Sequence, residues 1–303
     1  MTKPQNHLWQ WNDWEVAWNI EKCNMTSTVS TVLIHGFGAC KEHWRYNQSA
    51  ISEYSPCFAI DLIGFGASSQ PIARLKGEPN SSGEFEYNFD NWAQQIVDFC
   101  NEIVKTPVIL VGNSIGGVIA LRASQLLDKK CSGVVLVGCA TRALDDKRLN
   151  NQSILAQFAR PWLKSLVSQR WLSINLFRNA ASTGVITKVL KQAYPTGRNV
   201  DESLIQLLKK PSKRKGAPEA FHGFINLFDD YLAPQLMEDL EIPVDLIWGE
   251  KDPWEPLKEA QNWYENIACI RSLKIIAKTG HCPHDEEPEQ VNLILKKIIQ
   301  AAK

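Results

Sequence analysis

Gly112-Asn113-Ser114-Ile115-Gly116 stands between an apolar run, Pro107 to Val111, and a segment with helical character, Gly117 to Leu127. A glycine-flanked serine at a strand-to-helix junction makes a sharp, strained turn, and the residues beside it must be small. The turn lifts the hydroxyl clear of the sheet at the amino end of a helix. A chain with this junction needs a sheet whose strands are joined through crossover helices.

The rest of the sequence supplies such elements. Trp9, Trp11, Trp14 and Trp18 recur at a period near two and predict a hairpin around Asn12-Asp13, with the tryptophans as sheet packing. Strands are expected at 29–34, 57–60, 107–112, 134–138, 242–249 and 272–277, and helices at about 89–104, 115–127 and 288–301. That alternation predicts an α/β protein with a mostly parallel sheet covered on both faces. Residues 142–237 keep helical periodicity and lack strong β-branched runs. We therefore expect one core domain from residues 1–141 and 238–303, with a helical cap, 142–237, inserted after the sixth strand.

With 303 residues and 44% hydrophobic content, the chain is long enough for one large core. Its formal net charge is zero, so no global field recruits nucleic acid, and no nucleic-acid partner is expected. Eight scattered cysteines form no C-x-x-C pair and read as reduced, partly buried thiols of an intracellular protein. Met1 to Trp11 contain no apolar h-region, and no stretch is apolar for long enough to span a bilayer. The expected location is cytoplasmic.

A serine hydroxyl is a poor nucleophile at neutral pH. It needs a base to take its proton, and the base needs an orienting carboxylate. Asp252, in Trp248-Gly249-Glu250-Lys251-Asp252-Pro253-Trp254, follows one expected strand, and His281, in Thr279-Gly280-His281-Cys282-Pro283-His284, follows the last. Loops at the carboxyl ends of parallel strands gather on one edge of the sheet. Ser114, Asp252 and His281 can therefore meet as a triad, with Glu250 the rival of Asp252 and His284 the rival of His281. His35-Gly36-Phe37-Gly38 also follows a strand. The N–H groups of Phe37 and Ile115 are expected to hold the oxyanion of a tetrahedral intermediate. Gly36, Phe158, Trp162 and Trp254 are expected to contact substrate. This chemistry needs no metal and no organic cofactor.

HGFGACKEHWR, DLIGFGASS, GNSIGG, WGEKDPWEP and GHCPHDEEPE resemble segments of α/β-hydrolase fold enzymes, over nearly the whole chain. The last two look like the chlorophyll dephytylase and pheophytinase branch of plants and cyanobacteria. DLIGFGAS is shared across the superfamily and speaks to the fold. The resemblance implies a serine carboxylic-ester hydrolase that removes phytol from chlorophyll or pheophytin. The absence of a transit-like extension resembles a cyanobacterial member more than a plant precursor. A general esterase for other apolar esters and a hydrolase-like receptor that kept its triad remain alternatives. Epoxide hydrolases and haloalkane dehalogenases attack with an aspartate at the elbow, where this chain has Ser114.

Overall neutrality hides an asymmetry. Between Arg142 and Ala220, fifteen Lys or Arg stand against five Asp or Glu, a surplus of ten positive charges. In the same segment Ile154, Phe158, Trp162 and Leu166 recur every four residues. A cap helix packed on the core, with a solvated basic face, accounts for this pattern. It also suits peripheral contact with an anionic membrane, the thylakoid surface for a protein that acts on chlorophyll.

Overall fold

The computed structural model describes residues 5–302. Short apolar runs build a central sheet from β1 (Gln5–Trp11), β2 (Trp14–Glu21), β3 (Ser30–Ile34), β4 (Cys57–Ile60), β5 (Val108–Asn113), β6 (Cys131–Val137), β7 (Val244–Gly249) and β8 (Ile270–Ile276). Their order is β1-β2-β4-β3-β5-β6-β7-β8. β1 and β2 form an antiparallel hairpin with Trp11 opposite Trp14, and β2 runs antiparallel to β4. The remaining neighbours are parallel, with Ile34 beside Ile60 and Gly112, and Val137 beside Ile247.

Side chains alternate across a strand, so each strand feeds two cores. Val32, Ile34, Leu110 and Leu136 pack on one face beneath α1 (Phe89–Phe99) and α2 (Ile115–Leu127). Leu33, Ile109, Val111 and Val135 pack on the other face, against Val291, Leu295 and Ile299 of the helix Pro288–Ala301. The helix expected to reach residue 104 is shorter. It loosens into a π turn at Cys100–Val104 and stops at Lys105, whose φ is 63°. The polar loop around residues 70–87 contains two paired strands, Ile72–Ala73 and Glu84–Phe85, too short to leave a periodic signal.

Between β6 and β7 the chain forms α3 (Ile154–Val167), α4 (Arg170–Ala180), α5 (Thr183–Ala193), α6 (Glu202–Ser212) and α7 (Ala217–Ile225), with a short helix at Ala233–Met237. Ala233, Leu236 and Met237 rejoin the main core. Specific contacts hold these helices to the carboxyl edge of the sheet. Phe37, in the loop after β3, stacks on Phe224 of α7 with ring centroids 4.1 Å apart. Arg214 donates to the carbonyls of Gly66 and Ser68. Among the described residues all eight cysteines are free, six of them buried, and no helix is long and apolar enough to cross a membrane.

Candidate active site

Ser114 joins β5 to α2 with φ 54° and ψ −122°, a strained conformation for a residue that carries a Cβ. Its side chain caps no helix N–H, so the hydroxyl is not spent on the helix. The turn dictates its neighbours. A Cβ on Gly112 would lie 2.1 Å from the carbonyl oxygen of Gly116, and one on Gly116 would lie 2.4 Å from that of Ile34. Backbone bonds fix the turn to the end of β6, with Ser114 N–H donating to Val137 and Ala140 N–H donating to Ser114, both at 3.1 Å.

Asp252 follows β7 and His281 follows β8. Asp252 Oδ1 accepts the N–H groups of Trp254 and Glu255, each at 3.0 Å, which locks the carboxylate. Its Oδ2 accepts from His281 Nδ1 at 2.9 Å, and the Asp252 side chain is fully buried. A carboxylate accepts, so this bond places an imidazole proton on Nδ1, and the neutral form of that tautomer carries its lone pair on Nε2. Ser114 and His281 line one cavity of about 780 Å³. No hydrogen bond joins Ser114 Oγ to the ring among the described residues. Glu250 instead accepts the N–H of Lys278 at 2.8 Å. His284 is enclosed by His43 and Trp44, with ring centroids 4.8 and 4.3 Å away. Neither rival lines the cavity.

Leu62 N–H donates to His35 Nε2 at 3.1 Å, so Nδ1 carries the proton and donates to the Gly36 carbonyl at 2.7 Å. Burial lowers the pKa of His35 and keeps it neutral. In a trans peptide the N–H points away from the C=O. Pinning the Gly36 carbonyl therefore turns the Phe37 N–H to the opposite side. Gly36 lies close to the elbow, since a Cβ there would sit 3.1 Å from that of Ser114. Ile115 is the first residue of α2, and its N–H lies ahead of the helix's own ladder. Phe37 and Ile115 both line the cavity beside Ser114.

Asp61 anchors this loop by accepting from Lys41 N–H at 2.6 Å, Lys41 Nζ at 3.0 Å and Ala67 N–H at 2.8 Å. Cys40, Glu42 and Asp61 offer ligand atoms within 4.8 Å of one another. Lys41 Nζ already supplies the positive charge, 2.7 Å from Glu42 and 3.0 Å from Asp61. The cluster is an ion-pair network, buried at Lys41 and Asp61 and open at Glu42, with the ammonium standing where a cation would sit.

Residues 31–292 match the alpha/beta hydrolase family. The chain belongs to this family. It is similar to the uncharacterized hydrolase YugF of Bacillus subtilis (strain 168), 25% identical over 261 residues, 86% of each chain. It is also similar to the chloroplastic pheophytinase of Arabidopsis thaliana, 23% identical over 319 residues, 92% of this chain and 62% of that protein. An esterase from Exiguobacterium antarcticum shares the fold, with TM-score 0.75 and 19% identity across 98% of this chain and 100% of that one.

This α/β hydrolase lines its cavity from two sides. Gly36, Phe37, Trp254 and His281 come from the sheet loops, and Leu163, Val167, Phe177, Val185, Leu190 and Phe221 come from the helices above. The Trp254 and His281 rings lie edge to face at 4.8 Å. Phe158 and Trp162, expected to contact substrate, do not reach the cavity. They are 76% and 80% exposed on the outer side of α3. The four-residue spacing marks a true apolar stripe, but it faces outward, and Arg160, Leu163 and Val167 form the inner face. Arg160 turns inward because partners await it there: Asp146 at 3.0 Å and the Phe228 ring at 4.4 Å.

Three further residues of the hydrolase were not singled out from the sequence. The Asn113 amide donates to the carbonyls of Val137 at 2.9 Å and His281 at 3.3 Å, joining β5 to the loop after β8. Glu286, fully buried, accepts the N–H groups of Gly280 at 2.7 Å and Thr196 at 2.8 Å. Tyr194 donates to Asp285 at 3.0 Å and accepts from His43 Nε2 at 2.8 Å. Asn113 sits within the elbow, and Asp285 and Glu286 within GHCPHDEEPE. A sequence shows that acids follow a histidine there, without showing what they hold.

Proposed function

We propose that this α/β hydrolase is a serine carboxylic-ester hydrolase that works through an acyl-enzyme and removes phytol from chlorophyll-type pigments. The observation that carries the hydrolytic part is the Asp252–His281 hydrogen bond at 2.9 Å, set beside a strained Ser114 on one cavity. His281 Nε2 takes the proton from Ser114 as its oxygen attacks the ester carbonyl. Asp252 holds the imidazole and stabilises its charged form. The N–H groups of Phe37 and Ile115 bind the oxyanion. The alcohol leaves with the proton from His281, and water, deprotonated by the same ring, releases the acid. Residues 1–141 and 238–303 act as the core, and 142–237 as a cap that encloses the apolar part of the substrate.

What supports the pigment is narrower. WGEKDPWEP and GHCPHDEEPE resemble the dephytylase and pheophytinase branch, and a pheophytinase is among the similar proteins. Apart from Arg160 and Ser212, the cavity wall contributed by the helices is apolar, which suits a phytyl chain. A general esterase using the same residues is the second reading. It is favoured by the cavity volume, about 780 Å³, which lies within the range of about 300–1,000 Å³ usual for compact ligands. The protein acts in the cytoplasm, with its basic cap in peripheral contact with anionic, thylakoid-type membrane.

The test is incubation of detergent-dispersed chlorophyll a and pheophytin a with wild type and Ser114→Ala, followed by chromatography. Chlorophyllide or pheophorbide from wild type alone supports both substrate and nucleophile. Cleavage of p-nitrophenyl esters without pigment turnover keeps the hydrolase and removes the pigment. No turnover of either transfers the weight to a ligand-binding role.

A further inference from the structure

α3 is built inside out. Arg160 is buried on its inner face, and both Arg160 and Lys164 pair with Asp146. Its outer face presents Ile154, Leu155, Phe158, Trp162 and Leu166, all exposed, and Trp171 at the start of α4 is exposed as well. Soluble proteins normally turn the apolar stripe of a surface helix inward, and a contiguous exposed patch of this kind marks a contact surface. We infer that this face of α3 docks on an anionic lipid surface.

Two observations select that occupant. The first is charge. The segment from Arg142 to Ala220 carries a surplus of ten positive charges. Several bases are neutralised locally, including Arg142 by Asp145, Arg148 by Glu259 and Arg170 by Glu219. Arg178, Lys188, Lys191, Lys210, Lys213 and Lys215 are exposed and form no ion pair among the described residues. A second copy of the chain would set one basic surplus against another, whereas anionic headgroups attract it. The second is continuity. Leu163 and Val167 of the same helix line the cavity above Ser114, so one helix carries both the outer patch and the cavity wall. A tryptophan at the patch suits the boundary between headgroups and acyl chains. The inference rests on the proposed function only for its reason: an apolar ester dissolved in lipid reaches the cavity along α3.

Vesicle flotation tests the docking without turnover. The probes are vesicles of phosphatidylglycerol and phosphatidylcholine in equal parts, and vesicles of phosphatidylcholine alone, with Ser114→Ala protein so that hydrolysis plays no part. The protein should float with the anionic vesicles, at least tenfold more weakly with the neutral ones, and less as salt is raised. Adding Phe158→Ser and Trp162→Ser should weaken anionic binding at least tenfold while the melting temperature is unchanged. No binding, equal binding to both vesicles, or full binding by the serine variant would overturn the inference. So would a lipid-free dimer that the two serines dissociate, because the face would then belong to a second copy. Loss of pigment hydrolysis in the wild type would leave these flotation results untouched.

Discussion

The main-chain N–H of His281 donates to the carbonyl oxygen of Ala193 at 2.9 Å. Ala193 ends α5, so the proposed base is tied to the cap as well as to the sheet. The preceding peptide is held too, since Glu286 accepts the Gly280 N–H while also holding Thr196. Side chains have no room at this crossing. A Cβ on Gly280 would lie 2.2 Å from the same Ala193 oxygen.

Glu286→Gln should therefore slow the reaction through the histidine it does not touch. Glutamine has one accepting oxygen where the carboxylate has two, so the Gly280 or the Thr196 N–H loses its partner. The expected result on a small soluble ester is a kcat lower by about 10–100-fold with KM little changed, the size of a misplaced reactive group. An unaltered kcat would show that the anchor does not govern His281.

Asp252→Asn should lower kcat by about 10⁴-fold, because an amide no longer selects the Nδ1–H tautomer. Ser114→Ala and His281→Ala should abolish turnover. Circular dichroism should report a native fold in all three. Undiminished activity in any of them would remove that residue from the mechanism.

Ser114 stores strain that can be measured as stability. Glycine tolerates φ 54° and alanine does not, so Ser114→Gly should be more stable than Ser114→Ala by about 1 kcal/mol. Denaturant unfolding of the two inactive variants makes the comparison. Equal midpoints would mean the elbow is relaxed.

Stability should fall as the pH drops below neutrality. Burial lowers the pKa values of His35, His43, His222 and His284, and pushes His43 down to about 4. A free histidine titrates near pH 6.5, so the unfolded chain binds these protons first. The contribution is complete above the unfolded value and is lost as the pH falls. For His43 the loss runs from about pH 6.5 to about 4 and amounts to about 3 kcal/mol. Glu255 and Asp230, whose carboxyls burial raises, act in the opposite sense. Urea midpoints at pH 7 and pH 5 should differ accordingly. A protein as stable at pH 5 as at pH 7 would contradict the buried neutral histidines.

The elements carrying the site were legible because short-range rules govern them. β3, β5 and β6 read as short continuous apolar runs because their alternate residues feed two cores, and Gly112 and Gly116 mark the elbow because nothing larger fits. The facing of α3 was not legible. Its stripe of Ile154, Phe158, Trp162 and Leu166 reads as an inner face by every amphipathic rule, and only Asp146 and Phe228 decide that Arg160 goes in and Trp162 goes out. Glu286 is illegible for a similar reason. Its meaning lies in Thr196 and Gly280, which meet it only in three dimensions.

The hydrogen bond between Asn113 and His281 spans 168 residues of chain. During synthesis the elbow leaves the ribosome long before the strand that delivers the histidine. On the proposed mechanism, a nascent chain then carries the serine with no base beside it and should not attack an ester. Long-range pairings of this kind also form late when an unfolded chain is diluted into buffer. Helical signal should return first and hydrolysis last, so the order of strands along the gene acts as a clock that arms the enzyme only once the sheet is closed.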